Sequence, residues 1–386
     1  MESPSHRIGV VGTGFISKGF VKSLIHHPDY SLSRVLTRRD PSTCGEYPRR
    51  EVLTNSAEEL VEHSDIIFEC SGDVIHATDV VDVAVRAGKP VVTMDSEFHV
   101  TTGTWFVNKG LVTEAEGDQP GCLAALHENV LQMGFRPLVL GNVKGFHDPN
   151  PGRESMEMWS QKQRISLEMV IAATDGTKIQ FEQAFVANGL GARIAQTGMI
   201  GGASDDMYAS GYKLAAIAKE RGHPISDYFV IGKSPYRVFI VGEHDEDQHE
   251  ALDYFKFGPG PYFLLPQTNI LCHLEVMKTV RRVMNGGGVL LNNSATPTVS
   301  VGAVAKKDLP PGHIIRHALG NFDIRGTSLE IADHAGHVPM GLLNEARLKH
   351  SLMEGQMITF ADVDVPNSLA LRAWRDIESG VISARR

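Results

Sequence analysis

The tetrapeptide Asp175-Gly-Thr-Lys178 combines a carboxylate and an ammonium group at a spacing that could do chemistry. On a helix, residues i and i+3 share one face, so the two side chains would lie together. A lysine held beside a carboxylate in a desolvated cleft can act as a general acid or base, or can polarise a carbonyl group. The same spacing is typical of a surface ion pair, which would have no catalytic role.

A second motif, Gly12-Thr-Gly14, indicates nucleotide binding. It follows a short apolar run, 8–11, and leads into helix-compatible residues that begin with Phe15 and Ile16. At such a strand–turn–helix junction, the first glycine permits a tight turn. The second glycine lets the backbone approach a pyrophosphate at the helix N-terminus. The motif alone is weak, because glycine turns join many strands to helices.

The residues after the second predicted strand, 32–36, indicate which dinucleotide binds. They are Thr37-Arg38-Arg39-Asp40. An NAD-specific site usually has an acidic residue here, whereas guanidinium groups bind a 2′-phosphate as planar forks. We therefore predict NADP as the cofactor and keep NAD as the less favoured choice. Asp40 could instead hold the ribose, and a solvated charged turn is the remaining alternative.

The elements that would position these residues alternate between strand and helix. Apolar strands at 66–70 and 90–94 are separated by a helix at 76–87, which predicts right-handed βαβ units and a parallel sheet. Ligands of such sheets bind outside the C-terminal strand ends. The further residues that we expect at this edge are Ser71, Gly72, Ser96 and Glu97. Two more stretches, 104–116 and 268–284, have the apolar spacing of helices.

Composition argues against several classes of protein. The chain of 386 residues has a net charge of -9 and no basic block, which disfavours nucleic acid as a partner. No apolar run is long enough to cross a membrane, and the first residues lack the pattern of a signal peptide. Scattered cysteines indicate reduced thiols in a cytoplasm and no disulfide or zinc framework. These cysteines are Cys44, Cys70, Cys122 and Cys272.

Two acidic stretches could hold a metal ion. His244 and His249 lie in the acidic run 243–250, and Asp205-Asp206 follows several glycines. A solvated acidic loop and a helix cap, respectively, are the favoured interpretations. A divalent metal is therefore kept open as a cofactor, with no ligands assigned.

Several short blocks of sequence, spread over most of the chain, indicate a family resemblance. They are G-V-V-G-T-G-F-I at 9–16, A-G-K-P-V-V at 87–92, G-D-Q-P at 117–120, V-K-G at 143–145, D-G-T-K at 175–178, V-A-N at 186–188, G-P-Y-F-L-L at 260–265, L-C-H-L-E at 271–275 and K-K-D-L at 306–309. Together they resemble the homoserine-dehydrogenase-like NAD(P) oxidoreductases that carry a C-terminal SAF domain. One branch of that family is the DXR-like reductoisomerases.

This resemblance implies an α/β protein with four consecutive parts. They are an N-terminal Rossmann domain at 1–135, an α+β catalytic domain at 136–296, an SAF (β-clip) domain at 297–367 and a tail helix at 368–386. It also implies that Gly117, Asp118 and Pro120 line the nicotinamide side of the site. Lys144 and Lys178 would then orient a carbonyl or phosphate group, while Asp175 would hold Lys178 or shuttle a proton.

The expected function is therefore an NADP-dependent oxidoreductase that moves a hydride to or from a small polar carbonyl or alcohol. A phosphorylated or branched sugar is the expected substrate class. The sharpest version is a reductoisomerase of the 1-deoxy-D-xylulose 5-phosphate type, which serves isoprenoid biosynthesis. The alternatives are homoserine dehydrogenase and a non-catalytic NADP-binding regulator. We expect a small-molecule substrate, a cytoplasmic homo-oligomer, and neither nucleic acid nor membrane as a partner.

Overall fold

Short apolar runs of β-branched residues alternate with amphipathic segments along the chain, and they fold as strands and helices in the computed structural model, which describes residues 6–385. Residues 1–5, part of the predicted amino-terminal domain, and residue 386, the last of the predicted tail, lie outside the described residues. The fold forms two compact units. The first comprises 6–121, 270–295 and 367–377, and the second comprises the rest.

The strands are β1 (His6–Val11), β2 (Tyr30–Leu36), β3 (Leu53–Thr54), β4 (Ile66–Glu69), β5 (Val91–Thr93), β6 (Val112–Glu114), β7 (Arg136–Lys144), β8 (Ile225–Val230), β9 (Val238–Glu243), β10 (Phe263–Gln267), β11 (Val299–Ala305), β12 (Ile314–Ile315), β13 (Ile324–Glu330), β14 (Ala346–Leu348) and β15 (Val363–Asp364). The helices are α1 (Phe15–Ser23), α2 (Ala57–Glu62), α3 (Val74–Arg86), α4 (Ser96–Thr102), α5 (Gln119–Gln132), α6 (Arg153–Gln163), α7 (Leu167–Thr174), α8 (Thr177–Leu190), α9 (Met207–Arg221), α10 (His249–Tyr254), α11 (Val276–Met284) and α12 (Leu369–Ala384).

A six-stranded parallel sheet organises the first unit. Its strand order is β3-β2-β1-β4-β5-β6. Alternate residues of the central strands enter two apolar cores, so Phe68 packs with Phe20 on one face while Ile67 packs with Val80 on the other. The predicted parallel α/β sheet is confirmed. It brings the ends of β1, β2, β4, β5 and β6 to one edge.

Two predicted helices of this unit are wrong in part. Residues 112–114 of the stretch 104–116 form β6, because all three are buried and pair with β5. In the stretch 268–284, the helix begins only at Val276. Cys272 has a positive φ of 50°, which a helix cannot contain, and a short turn at 272–274 precedes α11.

The second unit contains a four-stranded mixed sheet with the order β10-β9-β7-β8. A core that includes Val139, Leu214 and Phe239 lies between this sheet and α9. Helix α8 contacts β7 and β8, and also contacts β11 and β13. Its side chains bond to β13 through Thr177 Oγ1, 2.9 Å from the Gly326 amide.

The C-terminal residues of the second unit form short antiparallel strands. β11 pairs with β13, and β14 lies between β12 and β15. The assignment of 297–367 to an SAF domain stays a prediction, as does the four-part division of the chain. Within 6–385, none of the helices combines the length and the apolar character that crossing a membrane requires.

Candidate functional site

The glycine turn after β1 has the geometry that a pyrophosphate needs. Gly12 has a φ of +103°, and its amide donates to the Leu36 carbonyl at 3.0 Å. A Cβ at this position would lie 3.0 Å from Ser71 Cα, so only glycine fits without a shift. Gly14 caps α1, and a Cβ built on it would meet nothing within 4 Å. This open N-terminus of α1 is suited to an anionic group.

Phe15 and Ile16 begin α1 directly after this turn. The Phe15 ring is 60% exposed and meets the His273 ring edge-on, with centroids 5.9 Å apart. Ile16 packs against the apolar core of the first unit. Phe15 is thus available to a bound molecule, whereas Ile16 contributes to the core.

The two arginines after β2 are anchored on different partners. Arg38 donates to Asp73 Oδ2 at 2.7 Å, and Arg39 donates to Thr13 Oγ1 at 2.7 Å. The Asp40 carboxylate accepts from the Ser42 amide at 2.9 Å, a bond that lowers its pKa. Asp40 therefore caps a local turn, while the guanidinium groups flank the end of β2.

A cavity of about 460 Å³ opens beside this strand end. Its lining residues are Leu36, Thr37, Arg38, Asp40, Asn55, Ala57, Glu58, His76, Asp79, Val80 and Val83. Apolar side chains, three carboxylates and one arginine thus surround a space of the size that ligand pockets have. The cavity and the glycine turn lie on the same edge of one sheet. Together they fit the adenosine and the pyrophosphate of a dinucleotide.

The other predicted edge residues follow β4 and β5. The Ser71 amide donates to Glu69 Oε1 at 2.8 Å. Gly72 has a φ of +68° and open space at its Cβ position. Ser96 and Glu97 occupy the first turn of α4, where Ser96 is 2% exposed. All of these residues lie at the predicted edge of the sheet.

The block 117–120 packs tightly within the first unit. Gly117 has a φ of +115°, and a Cβ there would lie 2.2 Å from the Cys272 carbonyl oxygen. Asp118 is 7% exposed, and Pro120 lies in the first turn of α5. Glycine is therefore required at 117 because the backbone of the 271–274 segment lies directly against it.

The second unit brings two lysines to one buried carboxylate. Lys144 Nζ at the end of β7 lies 2.8 Å from Glu182 Oε2, and Lys178 Nζ on α8 lies 3.5 Å from Glu182 Oε1. The Glu182 side chain is 0% exposed, whereas those of Lys144 and Lys178 are 15% and 26% exposed. Asn142 Nδ2 donates to the same carboxylate at 2.9 Å. Two ammonium groups thus share one negative charge.

The predicted Asp175–Lys178 partnership is replaced by a different pairing. Asp175 ends α7, and Gly176, with a φ of +88°, breaks the helix before α8 begins. Asp175 and Lys178 therefore do not share a helix face. The Asp175 carboxylate pairs with Lys306 Nζ at 2.6 Å. Burial raises the pKa of Asp175, and the Lys306 charge opposes that rise.

Sequence reasoning missed Glu182, Asn142 and Lys306. Two signals were present: Lys178 and Glu182 have the i,i+4 spacing of a helical pair, and Asn142 and Lys144 alternate onto one face of β7. The first pattern is common on exposed helices, so it gives no sign of a buried site. The helix-cap interpretation of Asp205-Asp206 is confirmed, since Asp206 caps α9. The acidic run 243–250 instead joins the end of β9 to the start of α10. Among residues 6–385, no cluster of three or more metal-ligating side chains occurs.

Several known proteins are similar to parts of this chain. Residues 117–276 match the model of the family Oxidoreductase DRL, catalytic domain. The meso-diaminopimelate D-dehydrogenase of Lysinibacillus sphaericus is 33% identical over 91 residues, which are 23% of this chain and 27% of that protein. The enzyme of the same name from Ureibacillus thermosphaericus is 29% identical over 113 residues, 29% of this chain and 34% of that one. The chain thus spans about a third or less of these relatives.

Among solved structures, a probable dehydrogenase from Thermotoga maritima shares 13% identity at a TM-score of 0.41, over 72% of this chain and 89% of that one. The homoserine dehydrogenase of S. aureus shares 23% identity at a TM-score of 0.20, over 24% and 25% of the two chains. Likeness at this level is too low to indicate function.

The matched family is thus one of oxidoreductases, and both of these relatives are dehydrogenases. The choice of NADP, the reductoisomerase and homoserine dehydrogenase assignments and the SAF domain stay predictions.

Proposed function

We propose that this protein is an NADP-dependent oxidoreductase that reduces or forms the carbonyl group of a small anionic substrate. The observation that carries the proposal is the cluster of Lys144, Lys178 and Glu182. It lies within the segment that matches an oxidoreductase catalytic domain. Ammonium groups bind phosphate and carboxylate groups, so the two lysines suit a substrate that carries one of them.

The chain's own residues fit the cofactor. The open α1 N-terminus at Gly14 would hold the pyrophosphate, and the cavity beside β2 would hold the adenosine. Arg38 and Arg39 would bind the 2′-phosphate, because both lie at the end of β2 and neither is buried. A bound nicotinamide supplies or accepts the hydride.

The lysine cluster would supply orientation and the proton. Lys144 is less exposed and lies closer to Glu182 than Lys178 does. It would bind the substrate's anionic group. Lys178, with the longer contact, would donate a hydrogen bond and then a proton to the carbonyl oxygen as the hydride arrives. Glu182 would hold both ammonium groups in place, helped by Asn142.

The finer proposal is a sugar phosphate as the substrate, and a reductoisomerase as one version of the reaction. A reductoisomerase must polarise a hydroxyketone before the hydride moves. In this chain the two lysines are the candidates for that role. Homoserine dehydrogenase and a non-catalytic NADP-binding regulator are the alternatives that the experiments must separate.

The first experiment measures binding of NADPH and NADH by fluorescence, followed by a thermal-shift screen of sugar phosphates, sugar acids and homoserine with NADP present. A ligand that binds only the native state raises the melting temperature. Failure to bind either nucleotide would refute the enzyme assignment. Tight NADP binding without turnover on any member of the panel would favour the regulator.

The second experiment tests the cluster once a substrate is found. Lys178→Ala should lower kcat by about 100-fold or more, the usual contribution of a positioned acid or base, and should leave NADPH binding unchanged. The matched control is Lys213→Ala, since Lys213 is an exposed lysine on α9 of the same unit. Equal activity of the two variants would show that Lys178 only forms a structural pair.

A further inference from the structure

Three acidic side chains occupy the ends of neighbouring parallel strands in the first unit. Glu69 ends β4 and Glu114 ends β6, while Asp95 follows β5 by two residues. Strand register places Glu69 opposite Thr93, and Thr93 opposite Glu114. Glu69 and Glu114 are 0% exposed, and Asp95 is 1% exposed. We call these three residues the acid row.

The acid row has little cationic compensation. Within the described part of the chain, neither Glu69 nor Asp95 forms a salt bridge. His99 Nε2 lies 3.5 Å from Glu114 Oε2, but burial lowers the pKa of His99 to about 3, so its ring carries no charge at neutral pH. One oxygen of each carboxyl group accepts a single hydrogen bond, from the Ser71 amide, the Phe98 amide and the Thr93 hydroxyl respectively. The other titratable groups that interact with the row are the acids Asp73, Glu97 and Asp118 and the thiol of Cys70. Arg38 forms a salt bridge with Asp73.

Burial favours the protonated form of these three carboxyl groups. Buried carboxyl groups that lie near one another cannot all ionise without a large cost. Burial, followed by the neighbouring acids, raises the pKa of Glu69 to about 7 and that of Asp95 to about 7. Burial raises the pKa of Glu114 further.

The acid row lies in the half of the sheet that would face a bound nicotinamide. In this strand order the two halves of a dinucleotide lie over the two halves of the sheet, with the pyrophosphate at the first glycine turn. The adenosine cavity lies at the end of β2, so the nicotinamide falls to the half that contains β4 and β5. The loop after β4 touches the glycine turn, at 3.0 Å between the Gly12 Cβ position and Ser71 Cα. Ser96, 2% exposed, has a hydroxyl with no partner in the described residues.

We propose that the acid row discriminates between the two redox forms of the cofactor by exchanging a proton with solvent. The oxidised ring is cationic, so it favours the ionised row and releases a proton on binding. The reduced ring is neutral and binds equally well to the protonated row. The inference rests on the proposed function, because it requires a nicotinamide at this edge. No bond to carbon changes in this step; a carboxyl O–H bond breaks and the proton passes to water.

The test is the pH dependence of two dissociation constants on the wild-type protein. NADPH binding is followed by its fluorescence and NADP⁺ binding by calorimetry, from pH 5.5 to 8.5. The ratio of the NADP⁺ constant to the NADPH constant should fall as the pH rises through about 7. One-proton linkage limits the fall to about tenfold per pH unit. The phosphates are the same in both forms, so their titration cancels in the ratio.

Two variants assign the effect. Glu69→Gln combined with Asp95→Asn should flatten the ratio to within about twofold over the pH range, because neither amide can release a proton. Asp65→Asn is the matched control. Asp65 pairs with Arg7 at the opposite end of the sheet, and its loss should leave the pH dependence unchanged.

The outcomes separate this inference from the proposed function. A wild-type ratio that stays constant with pH would overturn the acid-row inference alone. Failure of both NADP⁺ and NADPH to bind at every pH would overturn the proposed function, and the inference with it. The wild-type measurement needs no variant, so a doubly substituted protein that fails to fold would not block the test.

Discussion

Replacement of Lys306 by methionine tests the buried ion pair that the sequence did not reveal. The side chains of Lys306 and Asp175 are 4% and 0% exposed, and their charged atoms are 2.6 Å apart. Lys306 Nζ also donates to the Asn321 carbonyl at 2.6 Å. Methionine keeps most of the volume but removes both bonds. It leaves the Asp175 carboxylate in the interior with one amide donor, from Thr177 at 2.9 Å.

Removing one partner of a buried pair usually costs about 3–5 kcal/mol, because the other charge stays uncompensated. The hydrogen bond from the Thr177 amide lowers this cost, because it partly stabilises the Asp175 carboxylate. We therefore expect the free energy of unfolding of Lys306→Met to be lower by about 3–4 kcal/mol near pH 8. For a unit of this size that corresponds to a melting temperature lower by roughly 6–16 °C. The neighbouring lysine provides the control. Lys307 pairs with Asp323 at 2.8 Å, but its side chain is 55% exposed, so Lys307→Met should cost no more than about 1 kcal/mol.

The loss of stability in Lys306→Met should also depend on pH. Without Lys306 the folded pKa of Asp175 rises further above its unfolded value, so the folded variant binds more protons than the unfolded chain. Stability of the variant relative to wild type is therefore greatest at low pH and is lost as the pH rises. Urea denaturation at pH 5 and pH 8, followed by circular dichroism, measures both effects. Equal stability of the Lys306→Met and Lys307→Met proteins at pH 8 would refute the reasoning.

Three further predictions concern the first unit. Burial raises the pKa of Glu69 to about 7. Ionisation of Glu69 is therefore less favourable in the folded protein than in the unfolded chain, and the free energy of unfolding falls as the pH rises. Glu69→Gln should therefore gain on the order of 2–3 kcal/mol at pH 8 and almost nothing at pH 4, as urea denaturation would show. Gly121→Ala should reduce soluble yield, because its Cβ would lie 1.8 Å from a backbone carbonyl oxygen, whereas Gly152→Ala meets open space. Arg38→Ala and Arg39→Ala should each weaken NADPH binding by about 10-fold or more without changing NADH binding, as fluorescence titration would report; an equal loss for both nucleotides would contradict the 2′-phosphate assignment.

The parallel sheet was predictable because its signals are local. A glycine turn, short β-branched runs and intervening amphipathic segments each depend on a few neighbouring residues. The same locality explains why Gly12 and Lys144 fall at strand ends as expected. The stretch 104–116 failed because its apolar residues suit a helix, while β6 is stabilised by pairing with β5, about 20 residues earlier in the chain.

The second-unit site was less predictable because it depends on distant residues. Asp175 meets Lys306, 131 positions away, and Lys144 meets Glu182, 38 positions away. No pattern in the sequence marks such pairs. The Asp175–Lys178 spacing suggested a partnership that Gly176 prevents by its left-handed conformation. Local motifs therefore indicated which charged residues to consider, and tertiary contacts decided which charges pair.

The order in which the chain is synthesised gives the first unit an unusual folding problem. Its sheet is complete at Glu114, but one of its two apolar faces is covered in part by Val276, Met277, Val280 and Val283 of α11. During translation, the face that carries Ile8, Val10 and Phe68 therefore stays partly uncovered until α11 is synthesised, some 160 residues later. An apolar surface that is transiently exposed in this way is a natural site for chaperone binding. An excised fragment of 1–121 should for the same reason aggregate, while the full chain does not.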